Sequence, residues 1–103
     1  MNGTRFELDE QKASKLSGMS VSEVWDFINQ KAKAADLIVV KNGEYHAKGN
    51  SKDQSNLAIF IFDDLIELSW FTKSVKSWHT FYNDKDCEDV IAIFKNKNKY
   101  IWE

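Results

Sequence analysis

Proline is absent from this 103-residue chain, and cysteine and glycine are rare. The single cysteine, Cys87, excludes an internal disulfide and a zinc site built from several cysteines. The four glycines follow neither the G-x-x-x-x-G-K-[ST] nor the G-x-G-x-x-G pattern, which excludes the known phosphate-binding loops. Serine never occurs in the G-x-S-x-G context of a nucleophile elbow. The sequence therefore predicts no cofactor and no metal.

A long apolar run and a leader-type N-terminus are also missing, so we expect a soluble cytoplasmic protein that does not enter a membrane. The 14 basic and 16 acidic residues give a net charge of −2, and such a chain has no overall field that attracts nucleic acid. The length predicts one domain over residues 1–103, because two smaller cores would each be marginal. Aromatic residues are abundant, at 14%, and serve either as core filler or as anchors for a partner.

His46 and His79 are the side chains best suited to acid–base or metal chemistry near neutral pH. They lie far apart in the sequence and lack the short spacing of metal ligands. The acidic run at residues 83–89 does not match a calcium loop, because Asp89 stands where the loop requires glycine. We therefore predict that the protein is not an enzyme. The enzymatic alternative is a dispersed site around His46, His79 and Cys87.

The N-terminal half carries the clearest signals for helices. Ser20 and Glu23 have the capping-box spacing at the start of a helix over residues 21–35. Apolar residues recur in this segment at helical spacing and place Trp25 on the buried stripe. A shorter helix is predicted before it, at residues 9–16.

A tight hairpin is predicted directly after the second helix. Asn42-Gly43, the residue pair of a type I′ turn, separates strands at residues 37–41 and 44–48. Residues 1–8 are expected to form an extended arm or an edge strand. The polar residues 49–56 are expected to form a flexible loop.

The second half is predicted to be mostly strands. Residues 57–62 are apolar on both faces, which is typical of a central strand, whereas residues 65–71 and 77–82 alternate in polarity. Residues 90–94 and 100–102 are expected to close the fold as a hairpin, with a helix over residues 87–94 as the alternative. The fold class is therefore α+β: two N-terminal helices packed on a mainly antiparallel sheet of five or six strands, with a winged-helix-like helix and hairpin in the N-terminal half.

Aromatic and acidic residues coincide in the second half, a combination that suits docking onto a basic protein surface. A further acidic group, Asp63, Asp64 and Glu67, precedes Trp70. We expect a small protein-binding module that inhibits a basic partner, such as a nuclease toxin, in the manner of an immunity protein or antitoxin. The predicted partner-binding residues are Trp70, Trp78, Tyr82, Asp84, Asp86, Glu88 and Asp89.

The alternative function is nucleic-acid binding in a winged-helix manner, with the second helix in the major groove and the hairpin as wing. The lysines available for phosphate contacts in this region are Lys31, Lys33, Lys41 and Lys48. Glu23 and Asp26 on the exposed face of the helix would repel phosphates. Arginine, the favoured base-reading residue, occurs once, at Arg5.

Overall fold

The computed structural model describes residues 2–82 and 85–96, and the side chains of residues 2–82 and 89–93. The described strands are β1 (Gly3–Leu8), β2 (Ile38–Lys41), β3 (Glu44–His46), β4 (Val75–Tyr82) and β5 (Lys85–Asp89). The described helices are α1 (Glu10–Ser17), α2 (Val21–Ala34), α3 (Asp53–Ala58), a π-helix (Ile59–Leu65), α4 (Ser69–Thr72) and α5 (Val90–Asn96). The strands form one antiparallel sheet in the order β2-β3-β1-β4-β5. The predicted α+β class is confirmed.

β1 is a central strand, and the prediction of an arm or edge strand was wrong. It pairs with β3 on one side and with β4 on the other. Gly3 permits this close packing, because a Cβ atom at Gly3 would lie 2.5 Å from the Tyr45 carbonyl oxygen and 2.6 Å from the Phe81 ring. Both pairings join residues distant in sequence, so no local pattern in residues 1–8 specifies them.

The predicted start and core face of α2 are confirmed. The Ser20 hydroxyl accepts from the Glu23 backbone N–H at 3.1 Å, and the Glu23 carboxylate accepts from the Ser20 N–H at 2.9 Å. This reciprocal pair is a capping box, which satisfies two N–H groups that lack a partner within the helix. Trp25 is buried, and its ring stacks on Phe6 with 6.0 Å between the centroids.

The predicted hairpin is present and pairs with β1. Asn42-Gly43 forms the turn between β2 and β3, but only Gly43 has a positive φ, of 94°, so the predicted type I′ turn was wrong. β3 is hydrogen-bonded to β1 as well as to β2, and Phe6 N–H donates to the Gly43 carbonyl at 2.8 Å. The hairpin is therefore an integral part of the sheet.

Residues 57–62 are helical, and the predicted central strand was wrong. α3 and the π-helix continue without interruption from Asp53 to Leu65, so part of the predicted loop at 49–56 is also helical. The buried residues Leu57, Phe60, Ile61 and Leu65 follow helical spacing, whereas Ile59 and Phe62 are 42% and 47% exposed. A short run that is apolar on both faces does not distinguish a buried strand from a helix by periodicity.

The remaining predictions for the second half were partly right. Residues 65–71 contain the end of the π-helix and α4 instead of a strand, whereas residues 77–82 lie within β4. The acidic run contributes to β5, and residues 90–94, which were predicted to be a strand, belong to α5. The helical alternative for this segment was therefore correct in type. Residues 100–102 lie outside the described part of the chain.

The helical elements pack on one face of the sheet and enclose the core. Thr4, Phe6, Tyr45 and Trp78 are buried on this face, and the Tyr45 ring meets the Phe60 ring of the π-helix at 5.0 Å. Because neighbouring residues of a strand point to opposite faces, Arg5, Glu7, His46 and His79 lie on the other face. These four residues are exposed or half-buried.

Candidate functional site

Trp78, which the sequence assigned to the partner-binding surface, lies in the core. Its side chain is fully buried, and its Nε1–H donates to the Thr4 hydroxyl at 2.9 Å. The ring also meets Phe6 and Phe71 at centroid distances of 6.0 Å and 5.1 Å. The alternation along β4 turns Trp78 toward the helices, so a partner has no access to it in this fold.

The other residues assigned to the end of β4 and to β5 are separate from Trp70. Tyr82 is half-buried, and Asp89 is exposed with its carboxylate accepting from the Ala92 backbone N–H at 3.1 Å, at the start of α5. Asp86 and Glu88 belong to β5, the last strand in the described sheet order. Asp84 lies outside the described residues.

Trp70 precedes the opposite end of β4. The eight residues of this strand, at about 3.3 Å each, separate its two ends by about 23 Å. Trp70 is half-buried in α4, and its ring meets the Phe27 ring of α2 edge-on at 5.9 Å. Among the described side chains of the predicted surface, Trp70 therefore lies apart from Tyr82 and Asp89, and its ring contacts Phe27 instead.

Carboxylates lie close to both rings in the sequence, Asp26 next to Phe27 and the other three shortly before Trp70, and we name the set the acidic–aromatic surface. Its members are Asp26, Phe27, Asp63, Asp64, Glu67 and Trp70. Asp26, Asp63 and Glu67 are exposed, and none of the three makes a hydrogen bond or ion pair within the part of the chain that the structure describes. The sequence placed Asp63, Asp64 and Glu67 beside Trp70, but the contribution of α2 was missed because Phe27 is off the buried stripe.

Asp64 is the least exposed carboxylate of the acidic–aromatic surface. Its partial burial raises the pKa of the carboxyl group, and the negative charge of Asp63 raises it further. Lys31 opposes both effects by attracting the ionised form. Asp64 and Lys31 are therefore electrostatic neighbours that connect the π-helix to α2.

A shallow groove of about 630 Å³ runs along the outer side of α2. Met19, Phe27 and Ala34 supply apolar surface in the groove, and Glu23 and Asp26 supply carboxylates. Lys31 is the one basic residue among those that line the groove, and its Nζ lies 5.5 Å from the centroid of the Phe27 ring. The hydrogen bonds from Ser20 lower the pKa of Glu23.

The two histidines share the opposite face of the sheet but do not converge on one point. His46 stands opposite Gly3 of β1, and its Nε2 is 2.8 Å from the Glu44 carboxylate. His79 stands opposite Arg5 on the other side of β1. Two inter-strand spacings of about 4.8 Å therefore separate the histidine backbones. The side chain of Cys87 is not among those described.

This face also carries a cleft of about 480 Å³ between the hairpin turn and β4. Charged side chains of both signs line it, from Arg5, Glu7, Lys41 and Glu44, together with His79. No group of three or more histidine, cysteine, aspartate or glutamate side chains suited to a metal ion occurs within the described residues.

The lysines considered for nucleic-acid binding mostly face local partners. Lys48 Nζ is 2.6 Å from the Asp36 carboxylate, and Lys41 Nζ is 3.9 Å from Glu44. Lys31 lies over Phe27. Such contacts reduce the positive charge that these side chains present to a phosphate backbone.

The sequence matches no protein-family model, and no curated protein matches it. Among the residues with described structure, no helix is long and apolar enough to cross a membrane.

Proposed function

We propose that this protein is a small protein-binding module that inhibits a basic partner by covering its surface. A nuclease toxin is the partner class we favour, with the chain acting as an immunity protein or antitoxin. The observation that carries the proposal is the acidic–aromatic surface, which combines the Phe27–Trp70 ring pair with exposed carboxylates that make no hydrogen bond or ion pair with the described residues.

Unpaired like charges add nothing to the stability of the fold, because neighbouring carboxylates repel one another. They do attract a basic partner, for which they raise the association rate and set the orientation. The rings supply the apolar contact area that carboxylates lack, and aromatic residues are frequent among those that dominate binding energy. A nuclease binds phosphates through basic residues, so an acidic surface is suited to occupying its substrate groove.

Nucleic-acid binding by the chain itself is less favoured. The outward side of α2 carries Glu23 and Asp26, and the hairpin belongs to the sheet. The protein-binding proposal therefore places the contacts on the carboxylates and rings rather than on the lysines.

The proposal is tested by co-expressing the chain with the products of the reading frames adjacent to its gene. We expect a stable complex with a basic protein that hydrolyses DNA or RNA, and loss of this hydrolysis when the chain is added in equimolar amount. The chain alone is the control and is expected to hydrolyse neither substrate. Failure of every basic neighbouring product to bind, or binding without inhibition, would refute the proposed function.

Two charge-reversed variants locate the surface. Asp63/Glu67→Lys alters the acidic–aromatic surface, whereas Asp84/Asp86→Lys alters the β4–β5 end by the same change in charge. We expect the first variant to lower the association rate on the order of tenfold at low salt, and the second to lower it less. If neither double reversal changes the rate, electrostatic docking onto a basic partner is wrong.

A further inference from the structure

We propose that the groove on α2 binds a segment of the partner that carries both basic and apolar residues. In the unbound protein, Lys31 occupies the position that a cation of the partner takes on binding. This inference rests on the proposed function and specifies the chemistry of the segment. The groove combines apolar surface from Met19, Phe27 and Ala34 with carboxylates from Glu23 and Asp26.

The shape of the groove indicates a protein segment as its occupant. The groove is open along α2 and is bordered mainly by apolar atoms, so one face of a partner helix or an extended segment fits against it. Helix-in-groove complexes place apolar anchors on such a floor. Glu23 and Asp26 then lie within reach of lysine or arginine residues beside those anchors, which gives the charge complementarity that selects a basic partner.

The position of Lys31 indicates that the Phe27 ring accepts a cation. Its ammonium lies 5.5 Å from the ring centroid, within the range of a cation–π contact. Asp64 attracts the same ammonium from the π-helix side. Lys31 is on a flexible stem and half-buried, so a partner arginine can replace it on the ring. Arginine is the better cation for this purpose because its planar group also stacks on aromatic faces.

The unbound protein therefore carries an internal competitor for its own binding site. Removing the Lys31 charge frees the Phe27 ring and leaves Asp64 without its cation. Both changes favour an incoming basic group. A substitution intended only to remove a surface charge is thus expected to strengthen partner binding.

The test uses a synthetic helical peptide with leucines on one face and arginines beside them. Control peptides carry glutamate in place of arginine, or serine in place of leucine. Affinities are measured by calorimetry, and the binding site is located by amide chemical shifts. We expect the leucine–arginine peptide to shift residues along α2 and around Trp70, and each control peptide to bind at least about tenfold more weakly, the factor that corresponds to 1.4 kcal/mol.

Two matched lysine variants of the chain give the decisive comparison. Lys31→Gln is expected to strengthen binding of the leucine–arginine peptide about two- to fivefold, as expected for one cation–π contact of 0.5–1 kcal/mol. Lys33→Gln changes the net charge equally on the same helix but does not line the groove, and we expect a smaller effect. Phe27→Leu, which keeps an apolar side chain and removes the ring face, is expected to weaken binding by a similar factor.

Equal effects of Lys31→Gln and Lys33→Gln would overturn the placeholder role of Lys31. Equal binding of the arginine and glutamate peptides, or shifts confined to other surfaces, would overturn the groove as a basic-segment site. These failures are distinct from failure of the proposed function. A nuclease inhibited through the carboxylates, with no effect of Phe27→Leu or Lys31→Gln, refutes the groove and leaves the proposed function standing.

Discussion

Replacing Trp78 with alanine removes a fully buried indole, and we expect it to lower the free energy of unfolding by about 3–5 kcal/mol. The ring fills the space between Phe6 and Phe71 on the helical face of the sheet. Its loss leaves a cavity between β4 and the helices that pack on it. Domains of this size are stable by about 5–15 kcal/mol, so the variant is expected to lose a large share of its stability.

The hydrogen bond of Trp78 is measured separately with Trp78→Phe, which keeps an aromatic ring and removes the N–H. The Thr4 hydroxyl then loses the donor at 2.9 Å while it still donates to the His79 carbonyl at 3.0 Å. We expect a cost of about 1–3 kcal/mol, typical of a buried polar group deprived of one partner. A double-mutant cycle with Thr4→Val isolates the pairwise part.

The assay is urea unfolding followed by far-ultraviolet circular dichroism, which does not depend on the fluorescence of the remaining tryptophans. Trp70→Ala is the control, because Trp70 is half-buried and its removal is expected to cost less than Trp78→Ala. The reasoning is refuted if Trp78→Ala unfolds within about 1 kcal/mol of the unmodified chain, since burial of this ring then stabilises nothing. Partner binding that persists in Trp70→Ala but disappears in a fully folded Trp78→Phe variant would also contradict the core assignment.

Three further predictions concern the helix cap, the buried tyrosine and nucleic acid. Ser20→Ala removes the capping box of α2 and is expected to lower the free energy of unfolding, measured by thermal unfolding, by about 0.5–2 kcal/mol. Ser22→Ala, at an exposed position in the same turn, is the control. Equal losses in the two variants would contradict a specific cap. Burial raises the pKa of Tyr45 to about 12, partly offset by the hydrogen bond from Gly43. The folded pKa is above the ordinary value of 10.0, so the contribution of protonated Tyr45 to the free energy of unfolding is complete below pH 10. This contribution, about 3 kcal/mol, is lost as the pH rises to about 12. Tyr45→Phe should abolish this alkaline loss, and an unchanged pH profile would show that another group causes it. The chain alone is expected not to retard DNA or RNA in gels at about 50 mM salt, where phosphate contacts are strong; retardation that weakens linearly with log salt would instead support the nucleic-acid alternative.

Local signals in the sequence predicted the helix starts and the hairpin turn. Ser20 and Glu23 are three residues apart, and Asn42-Gly43 is a dipeptide, so the residues that form each motif are close together in the sequence. The central position of β1 depends on pairings such as Phe6 with Trp78. No periodicity within either strand specifies which strand lies beside it.

The error at residues 57–62 arose from composition. Leu57, Phe60 and Ile61 satisfy a buried helix as well as a buried strand, because isoleucine and phenylalanine occur in both. The alternating polarity of residues 65–71 likewise predicted a strand, whereas Trp70 lies in α4. The sequence predicted the acidic group beside Trp70. It did not predict the contact between Trp70 and Phe27, because that contact depends on how α2 packs against α4.

The most direct test of the account is the association rate with a basic nuclease partner, measured by stopped flow against ionic strength. The association rate is expected to fall steeply as salt increases, because charged surfaces steer encounter at low salt. The salt dependence is expected to be weaker for Asp63/Glu67→Lys. Unmodified and variant chains should converge at high salt, where the Debye length is about 3 Å at 1 M. A rate independent of salt, or the same salt dependence in the unmodified chain and in Asp63/Glu67→Lys, would contradict binding through the acidic–aromatic surface.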